Sequence, residues 1–250
     1  MLHEVAGEVC GLVEATPVHE RAQPVDDGVD QFLIDLAADA LAVRLLTAAG
    51  FGVLSEESGR HRWNASIRVV VDPIDGSTNC ARGLPSYGPS LCAVDGDGLV
   101  AAVVRNIPAA TSYAARRGSG ATKNGAPLLP PRRDRLRVVA TGDPVDGLEP
   151  ETWTRLSGAS AHDLCLVADG TVDGYVDVRN TQSIWDYAGA LLVLLECGAV
   201  VRERAGRELL DFDALADRRL VAASTGQLVD ILDCLPLGPP VTGPRRAARS

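Results

Sequence analysis

Asp72-Pro73-Ile74-Asp75-Gly76-Ser77-Thr78-Asn79, entered from Ile67, Val69, Val70 and Val71, is the stretch on which the fold and chemistry depend. The β-branched run favours a buried strand. Asp-Pro and Asp-Gly are turn-forming pairs, and they predict a sharp bend just past Val71. Such a bend projects the Asp72 and Asp75 carboxylates and the Ile74 carbonyl from a strand end. Gly76, Ser77 and Thr78 then offer N–H groups and hydroxyls just beyond. Hard oxygen ligands beside an anion-accepting turn suit Mg²⁺-assisted phosphate chemistry. The same acids can also do no more than cap a turn, so the rest of the chain decides.

Upstream, residues 1–15 place Val5, Val9, Leu12 and Val13 at helical spacing, and residues 19–28 form a polar segment broken by Pro24. Residues 29–49 repeat apolar side chains at i, i+3, i+4 and stop at Gly50, which predicts a long helix. Residues 51–54 form a short strand leading into Ser55-Glu56-Glu57-Ser58-Gly59. Downstream, residues 90–94 and 99–104 read as an antiparallel pair around Asp95-Gly96-Asp97-Gly98. Gly118-Ser119-Gly120 and Asn124-Gly125 mark turns. Pro and Arg dominate residues 127–134, a link between two halves, 1–130 and 131–238. The second half alternates strands at 136–141, 174–178, 199–202 and 220–223 with helices at 160–168, 186–197 and 227–235. That pattern is α/β, with an α+β N-terminal half and an α/β C-terminal half. Residues 239–250, rich in Pro, Gly and Arg, are expected to be a disordered tail. No internal repeat is present.

The chain has 250 residues, 46% of them hydrophobic, enough for one large domain or two closely packed halves. Its formal net charge of -9 argues against a nucleic-acid partner. Lys123 is the only lysine, so a phosphate would be held by metal and backbone donors rather than by a lysine cluster. The six cysteines are scattered without a C-x-x-C pair, and His3, His19, His61 and His162 show no ligand spacing with them. Zinc and disulfide scaffolds are therefore disfavoured, and reduced thiols in the cytoplasm are the expectation. No signal peptide is visible at the N-terminus. The apolar run at 188–195 is too short to span a bilayer, so no membrane partner is expected.

Four further acids stand at positions that can converge with Asp72 and Asp75. Glu56 and Glu57 follow one strand, Asp35 lies on the long helix, and Asp186 opens a late apolar helix in Ser183-Ile184-Trp185-Asp186-Tyr187. Glu56-Glu57 also fits a solvated loop, and Asp186 fits a plain N-cap. Asp35 sits among Leu33, Ile34, Leu36 and Ala37, where an ionised carboxylate needs a partner.

Together these residues resemble the inositol monophosphatase family. Asp72 to Asn79 is similar to its metal-binding pattern D-P-[IL]-D-G-[ST]-x-N, and Leu54-Ser55-Glu56-Glu57-Ser58 to its G-E-E-S segment. Trp185-Asp186-Tyr187-Ala188-Gly189-Ala190 resembles W-D-x-A-[AG]-[AG], and Gly158-Ala159-Ser160-Ala161-His162-Asp163-Leu164 resembles G-S-x-A-x-[DN]-[LM]. The stretch 116–125 is similar to the family's G-x-G-A-x-x-N-G turn. Order and spacing agree from about Val29 to Ala223.

The resemblance implies a layered αβαβα sandwich of the inositol monophosphatase/fructose-1,6-bisphosphatase type, with the site between the halves. It implies a Mg²⁺-dependent phosphomonoesterase for a small phosphorylated polyol or sugar, first an inositol monophosphate. Fructose 1,6-bisphosphate, a 3′-phosphonucleotide or a pathway-specific ester are alternatives, and a catalytically silent phosphometabolite binder is the alternative of another class. Carried over, Glu56, Asp72, Asp75, Asp186 and the Ile74 carbonyl would hold two Mg²⁺ ions. Asp35 and Ser77 would orient the attacking water, with Ser77 standing where Thr is commoner. Asp75, Gly76, Ser77 and Thr78 would bind the phosphate, and Ser160 and Asp177 would face the alcohol. The family's third metal site draws on a loop threonine that is absent here, since Asp30, Gln31 and Phe32 occupy that stretch and no lysine lies upstream. Asp177-Val178-Arg179 is similar to the D-x-R of the archaeal and bacterial branch, and precedes Asp186 by slightly more than in animal-type members. A homodimer is also implied.

Overall fold

Two sheets, with helices between and outside them, carry the chain. The computed structural model describes residues 1–25, 31–129, 134–178, 180 and 182–238. The centre of the expected link (130–133), Asp30, Arg179 and the expected disordered tail (239–250) lie outside the described residues.

Helices α1 (Leu2–Ala15), α2 (Val18–Arg21) and α3 (Leu33–Ala48) come first. Strands β1 (Gly52–Ser55), β2 (Gly59–His61) and β3 (Arg68–Asp75) follow, then the short helix α4 (Ser77–Arg82). With β4 (Gly88–Asp95), β5 (Gly98–Asn106), β6 (Thr111–Arg116), β7 (Ala121–Lys123) and β8 (Ala126–Pro127), these strands build an eight-stranded sheet ordered β2-β1-β3-β4-β5-β6-β7-β8. Its β1–β3 pair is parallel and its β3–β4 and β4–β5 pairs antiparallel. The five-stranded second sheet takes β9 (Val138–Thr141), β10 (Trp153–Arg155), β11 (Gly174–Val176), β12 (Val200–Glu203) and β13 (Leu220–Ala223) in the order β10-β9-β11-β13-β12. Helices α5 (Ser160–Ala168) and α6 (Ala188–Glu196) lie between the sheets, α1 and α3 cover the outside of the first, and α7 (Gly226–Asp233) the outside of the second. The expected αβαβα layering is thus borne out.

Strand alternation decides what faces the middle layer. Leu54 and Val70 belong to the core around α5 and α6, whereas Val53, Val69 and Val71 pack under α1 and α3. With a period of two, Asp72 falls on the inner face with Val70. Glu56, one residue past β1 and still bonded from its N–H to the Val71 carbonyl at 3.1 Å, continues the parity of Leu54.

The structure corrects several local expectations. β3 does not end at Val71 but runs to Asp75, with a bulge between its paired residues Asp72 and Asp75. Pro73, lacking an N–H, sits in that bulge, and the Asp72 carboxylate accepts the Ile74 N–H at 3.0 Å in place of a ladder partner. The turn comes at Gly76, with φ +83°, where a Cβ would stand 2.7 Å from the Ser86 carbonyl. The long first-half helix starts at Leu33 because Phe32 is extended and bridges to Pro24. The helix expected over 186–197 splits into a 3-10 turn, Ile184–Asp186, and α6, so Asp186 closes a turn and does not cap the helix. The segment expected to be a polar loop after His19 contains α2.

Gly189 lets α6 lie close on the first sheet. A Cβ there would stand 2.5 Å from Ser90 Oγ and 3.0 Å from a Val104 methyl. Ser90 pairs with Asp72 across β3 and β4, so this close approach sets how near Asp186 comes to Asp72. Helix propensity alone makes Gly189→Ala stabilising, but overpacking costs about 1–3 kcal/mol, and we expect the latter to win. Thermal melts should show a lower Tm for Gly189→Ala, recovered largely in the Gly189→Ala/Ser90→Gly double variant. Ser90→Ala alone should not destabilise, because the buried Ser90 hydroxyl has no hydrogen-bond partner. A raised Tm for Gly189→Ala would reject the close-packing account.

Candidate active site

Three acids from three elements meet on the inner face of the first sheet. Ligand oxygens of Glu56, Asp72 and Asp186 all lie within 4.8 Å of one another. Asp186 is aimed by its own turn, since its Oδ2 accepts the Ser183 N–H at 2.6 Å. Asp72 is 2% exposed. Burial pushes its carboxyl well above the ordinary range, and the charges of Glu56, Asp75, Asp186 and Glu57 push the same way.

Asp75 is turned towards another element. Its Oδ1 accepts the Ser160 N–H at 3.1 Å and its Oδ2 accepts the Ala161 N–H at 2.8 Å, at the N-terminus of α5. Those are orphan amides at the positive end of a helix, a natural carboxylate seat. Burial nevertheless raises Asp75 to about 8, the Ala161 and His162 amides pulling it back and the charges of Asp163 and Glu56 adding to the rise.

The Ile74 carbonyl accepts the Ser77 hydroxyl at 3.1 Å. Asp35 is fully buried and its Oδ2 accepts the Phe32 N–H at 2.9 Å, so one of its oxygens secures the start of α3. Its charge also reaches the Cys80 thiol of α4, the helix that carries Ser77 and Thr78. Gly76 precedes that helix, whose first amides have no intrahelical acceptor.

On the far wall, Asp177 is 2% exposed and its Oδ1 accepts the Asn180 N–H at 3.1 Å. Tyr175 joins this wall to the acids. Its hydroxyl accepts from Gln182 Nε2 at 2.9 Å. Burial raises the phenol well above its ordinary range, and the Asp177, Asp163 and Asp186 charges add to that. The structure therefore gathers Glu56, Asp72 and Asp186 in one cluster, couples Asp75 to Ser160 through α5, and leaves Asp177 apart, near Tyr175.

Several residues of this region escape a reading of sequence. Gln31 Nε2 donates to the Glu57 carboxylate, and Ser55 Oγ to Asp39, so Ser55 and Glu57 serve the α3 side while Glu56 serves the cluster. Alternation past a strand was the available signal. Asn79 Nδ2 donates at 2.7 Å to both the Ser86 and the Ser157 carbonyls, clasping the turn after α4 to the segment before α5. His162 Nε2 lies 2.6 Å from the Arg105 carbonyl and so donates to it, which leaves Nδ1 to accept from the Ser86 hydroxyl at 3.2 Å. Burial lowers that imidazole to about 4. Asp163 is raised to about 7 by burial, and its buried Oδ1 has no hydrogen-bond partner. No sequence pattern announces these contacts, which join residues far apart in the chain.

A model described as the inositol monophosphatase family matches residues 19–233. A fructose-1,6-bisphosphatase/inositol-1-monophosphatase of Archaeoglobus fulgidus is 32% identical over 231 residues, covering 88% of this chain and 91% of that protein. A putative Nus factor SuhB of Neisseria meningitidis is 31% identical over 226 residues, covering 83% of each. Among solved structures, an extragenic suppressor from Pyrococcus furiosus superposes with a TM-score of 0.76 at 28% identity, covering 91% of this chain and 97% of that one. A hypothetical protein of Pyrococcus horikoshii with similarities to inositol-1 monophosphatase reaches 0.80 at 22% identity over 92% and 96% of the two chains, a likeness of fold alone. The matched span takes in every acid of the cluster, and by that measure the chain belongs to the inositol monophosphatase family.

Proposed function

We propose that this chain is a Mg²⁺-dependent phosphomonoesterase for a small polyol or sugar phosphate, with an inositol monophosphate as first substrate. The convergence of Glu56, Asp72 and Asp186 within 4.8 Å carries the reading. The donor set fits the ion on its own chemistry. It is all oxygen, as a hard cation requires, and the repulsion that raises Asp72 is what a divalent charge relieves. Glu56, Asp72 and Asp186, with Asp75 and the Ile74 carbonyl, would hold two ions. Bound Mg²⁺ supplies charge that polarises a phosphoryl group and acidifies water.

The chain's own groups do the rest. Amides of Gly76, Ser77 and Thr78 would receive the phosphate oxygens at the start of α4. Asp35 and Ser77 would orient the water, Asp35 taking its proton as the P–O bond forms. Asp177 and Ser160 would receive the alcohol hydroxyls. Fructose 1,6-bisphosphate is the second reading, favoured by the double name of the Archaeoglobus relative. A homodimer is inferred from the resemblance, and a cytoplasmic location from the scattered, unpaired cysteines. No helix among the described residues is long and apolar enough to cross a membrane.

Phosphate release should be measured on inositol 1-phosphate, fructose 1,6-bisphosphate, adenosine 3′,5′-bisphosphate and sugar phosphates, with Mg²⁺ and with a chelator. The expected result is Mg²⁺-dependent turnover, strongest for inositol 1-phosphate, falling by about two to three orders of magnitude in Asp72→Asn. Turnover that persists in Asp72→Asn, or with the chelator, would sink the assignment.

Stability should link to pH through the same acids. Asp72 and Asp75 have folded pKa values raised above their unfolded ones, so their contribution is full below about pH 4; that of Asp75 is lost as pH rises through about 8, and that of Asp72 as pH rises through its own raised value. Divalent metal competes with those protons. Melts should therefore show a Mg²⁺-induced rise in Tm that is larger at pH 8.5 than at pH 6.5. His162, lowered by burial, affects the melts with and without Mg²⁺ alike and so cancels from the difference. Equal melting curves with and without Mg²⁺ at both pH values would contradict a metal role for the cluster.

A further inference from the structure

Between β12 and β13 the chain makes a long excursion, residues 204–219, without regular structure of its own. It is folded around one guanidinium. Arg218 is 0% exposed, an extreme for a side chain that is always charged. Its Nε donates to the Ala214 carbonyl at 3.0 Å and its Nη1 to the Glu208 carbonyl at 2.9 Å. Its Nη2 donates to the Ala214 carbonyl as well, and lies 3.5 Å from both the Asp211 carbonyl and the Asp211 carboxylate. Carbonyls of this loop thus point inward at a charge, while its Leu209, Leu210, Phe212 and Leu215 pack against the main core.

The outside of the loop meets the turn that carries Asp186, on both flanks. Before Asp186, the Ile184 N–H donates to the Leu215 carbonyl at 2.8 Å, and the Arg218 N–H donates to the Gln182 carbonyl at 2.8 Å. After it, the buried Tyr187 hydroxyl donates to the Leu209 carbonyl at 2.8 Å. Phe212, in the same loop, packs edge-on against Trp63 at 5.3 Å and has its carbonyl bonded by Arg60, which anchors the loop to the first sheet as well.

We propose that Arg218 is a positioning residue for the metal centre: by ordering the 208–218 loop it clamps the Ile184–Tyr187 turn and so fixes the Asp186 carboxylate against Glu56 and Asp72. The inference rests on the reading of that cluster as a metal site. The device acts on ion affinity before it acts on chemistry. Asp186 reaches the cluster from a 3-10 turn of three residues, and such a turn does not hold a direction without outside contacts. Loss of the clamp leaves all the ligands present but lets one of them wander, at an entropic cost to each binding event.

The test is Mn²⁺ binding, followed by electron paramagnetic resonance, on the full chain and three variants. Tyr187→Phe removes one hydroxyl from the clamp and keeps the ring, and Arg218→Lys keeps the charge with fewer donors. Thr225→Ala removes the side-chain cap of α7, where Thr225 Oγ1 accepts the Leu228 N–H, away from the loop. We expect the Mn²⁺ Kd to rise about five-fold in Tyr187→Phe, the size of one net hydrogen bond. It should rise further in Arg218→Lys and stay unchanged in Thr225→Ala, even where Tm falls by as much. Wild-type Mn²⁺ affinity in both loop variants would overturn the proposal and leave Arg218 a purely structural residue. Asp186→Asn separates the two levels of the argument. If Mn²⁺ binding is unaffected there, it is the metal-site reading that fails.

Discussion

Like-charge repulsion in a dry place is the constraint around which this protein is built. Asp72, Asp75, Glu57 and Asp177 are all nearly inaccessible to water, and Glu56 and Asp186 complete the crowd. Each carboxylate removed from water loses hydration that its neighbours do not return. A fold that gathers them must fix them by other means: a bulge lets Asp72 accept a backbone amide, a 3-10 turn gives Asp186 another, and a helix N-terminus receives Asp75. The positions are set before any ion arrives, and the energy stored in the repulsion becomes affinity for a cation.

The two faces of the first sheet divide the labour. Alternation sends Glu56 and Asp72 towards the middle layer, and Ser55 and Glu57 towards α3. The adjacent pair Glu56-Glu57 therefore faces two ways with one step of the backbone, the first towards the cluster with Asp72 and Asp186 and the second tied to Gln31. The middle layer then closes the site from the other side, α5 meeting Asp75 and the turn before α6 delivering Asp186.

What the sequence made legible follows the physics of local signals. The valine run before Asp72 and the segment Ser160 to Ala168 each carry their periodicity within a few residues, and the corresponding elements formed; the long helix formed too, but it buries Ile34, Ala38, Ala42 and Leu46 rather than a face through Leu36 and Ala40. Short strands such as β7 and β10 carry no such pattern, because three residues cannot display a period. The strand through Pro73 was hidden because Asp-Pro and Asp-Gly are turn formers by propensity, and only pairing with β4 overrides them. At the site, the acids were legible as residues, but their orientation was not. That Asp75 faces α5 while Asp72 faces Asp186 depends on a bulge, and that Tyr175 holds the Gln182 segment depends on the packing of the second sheet.

The placement of α6 has a consequence for how this chain is made. Every strand of the first sheet is in hand by Pro127, yet the inner face of that sheet, with Leu54, Val70, Cys92 and Val104, is covered by helices that are not synthesised until Ser160 and Ala188. A ribosome therefore displays an apolar sheet face, with the Asp72 carboxylate at its centre, for the time it takes to translate the intervening residues. At about 5–20 residues per second that interval is seconds long. A buried acid in the middle of that face is then an asset during synthesis: while water still reaches it, its charge keeps an otherwise adhesive surface from pairing with its neighbours.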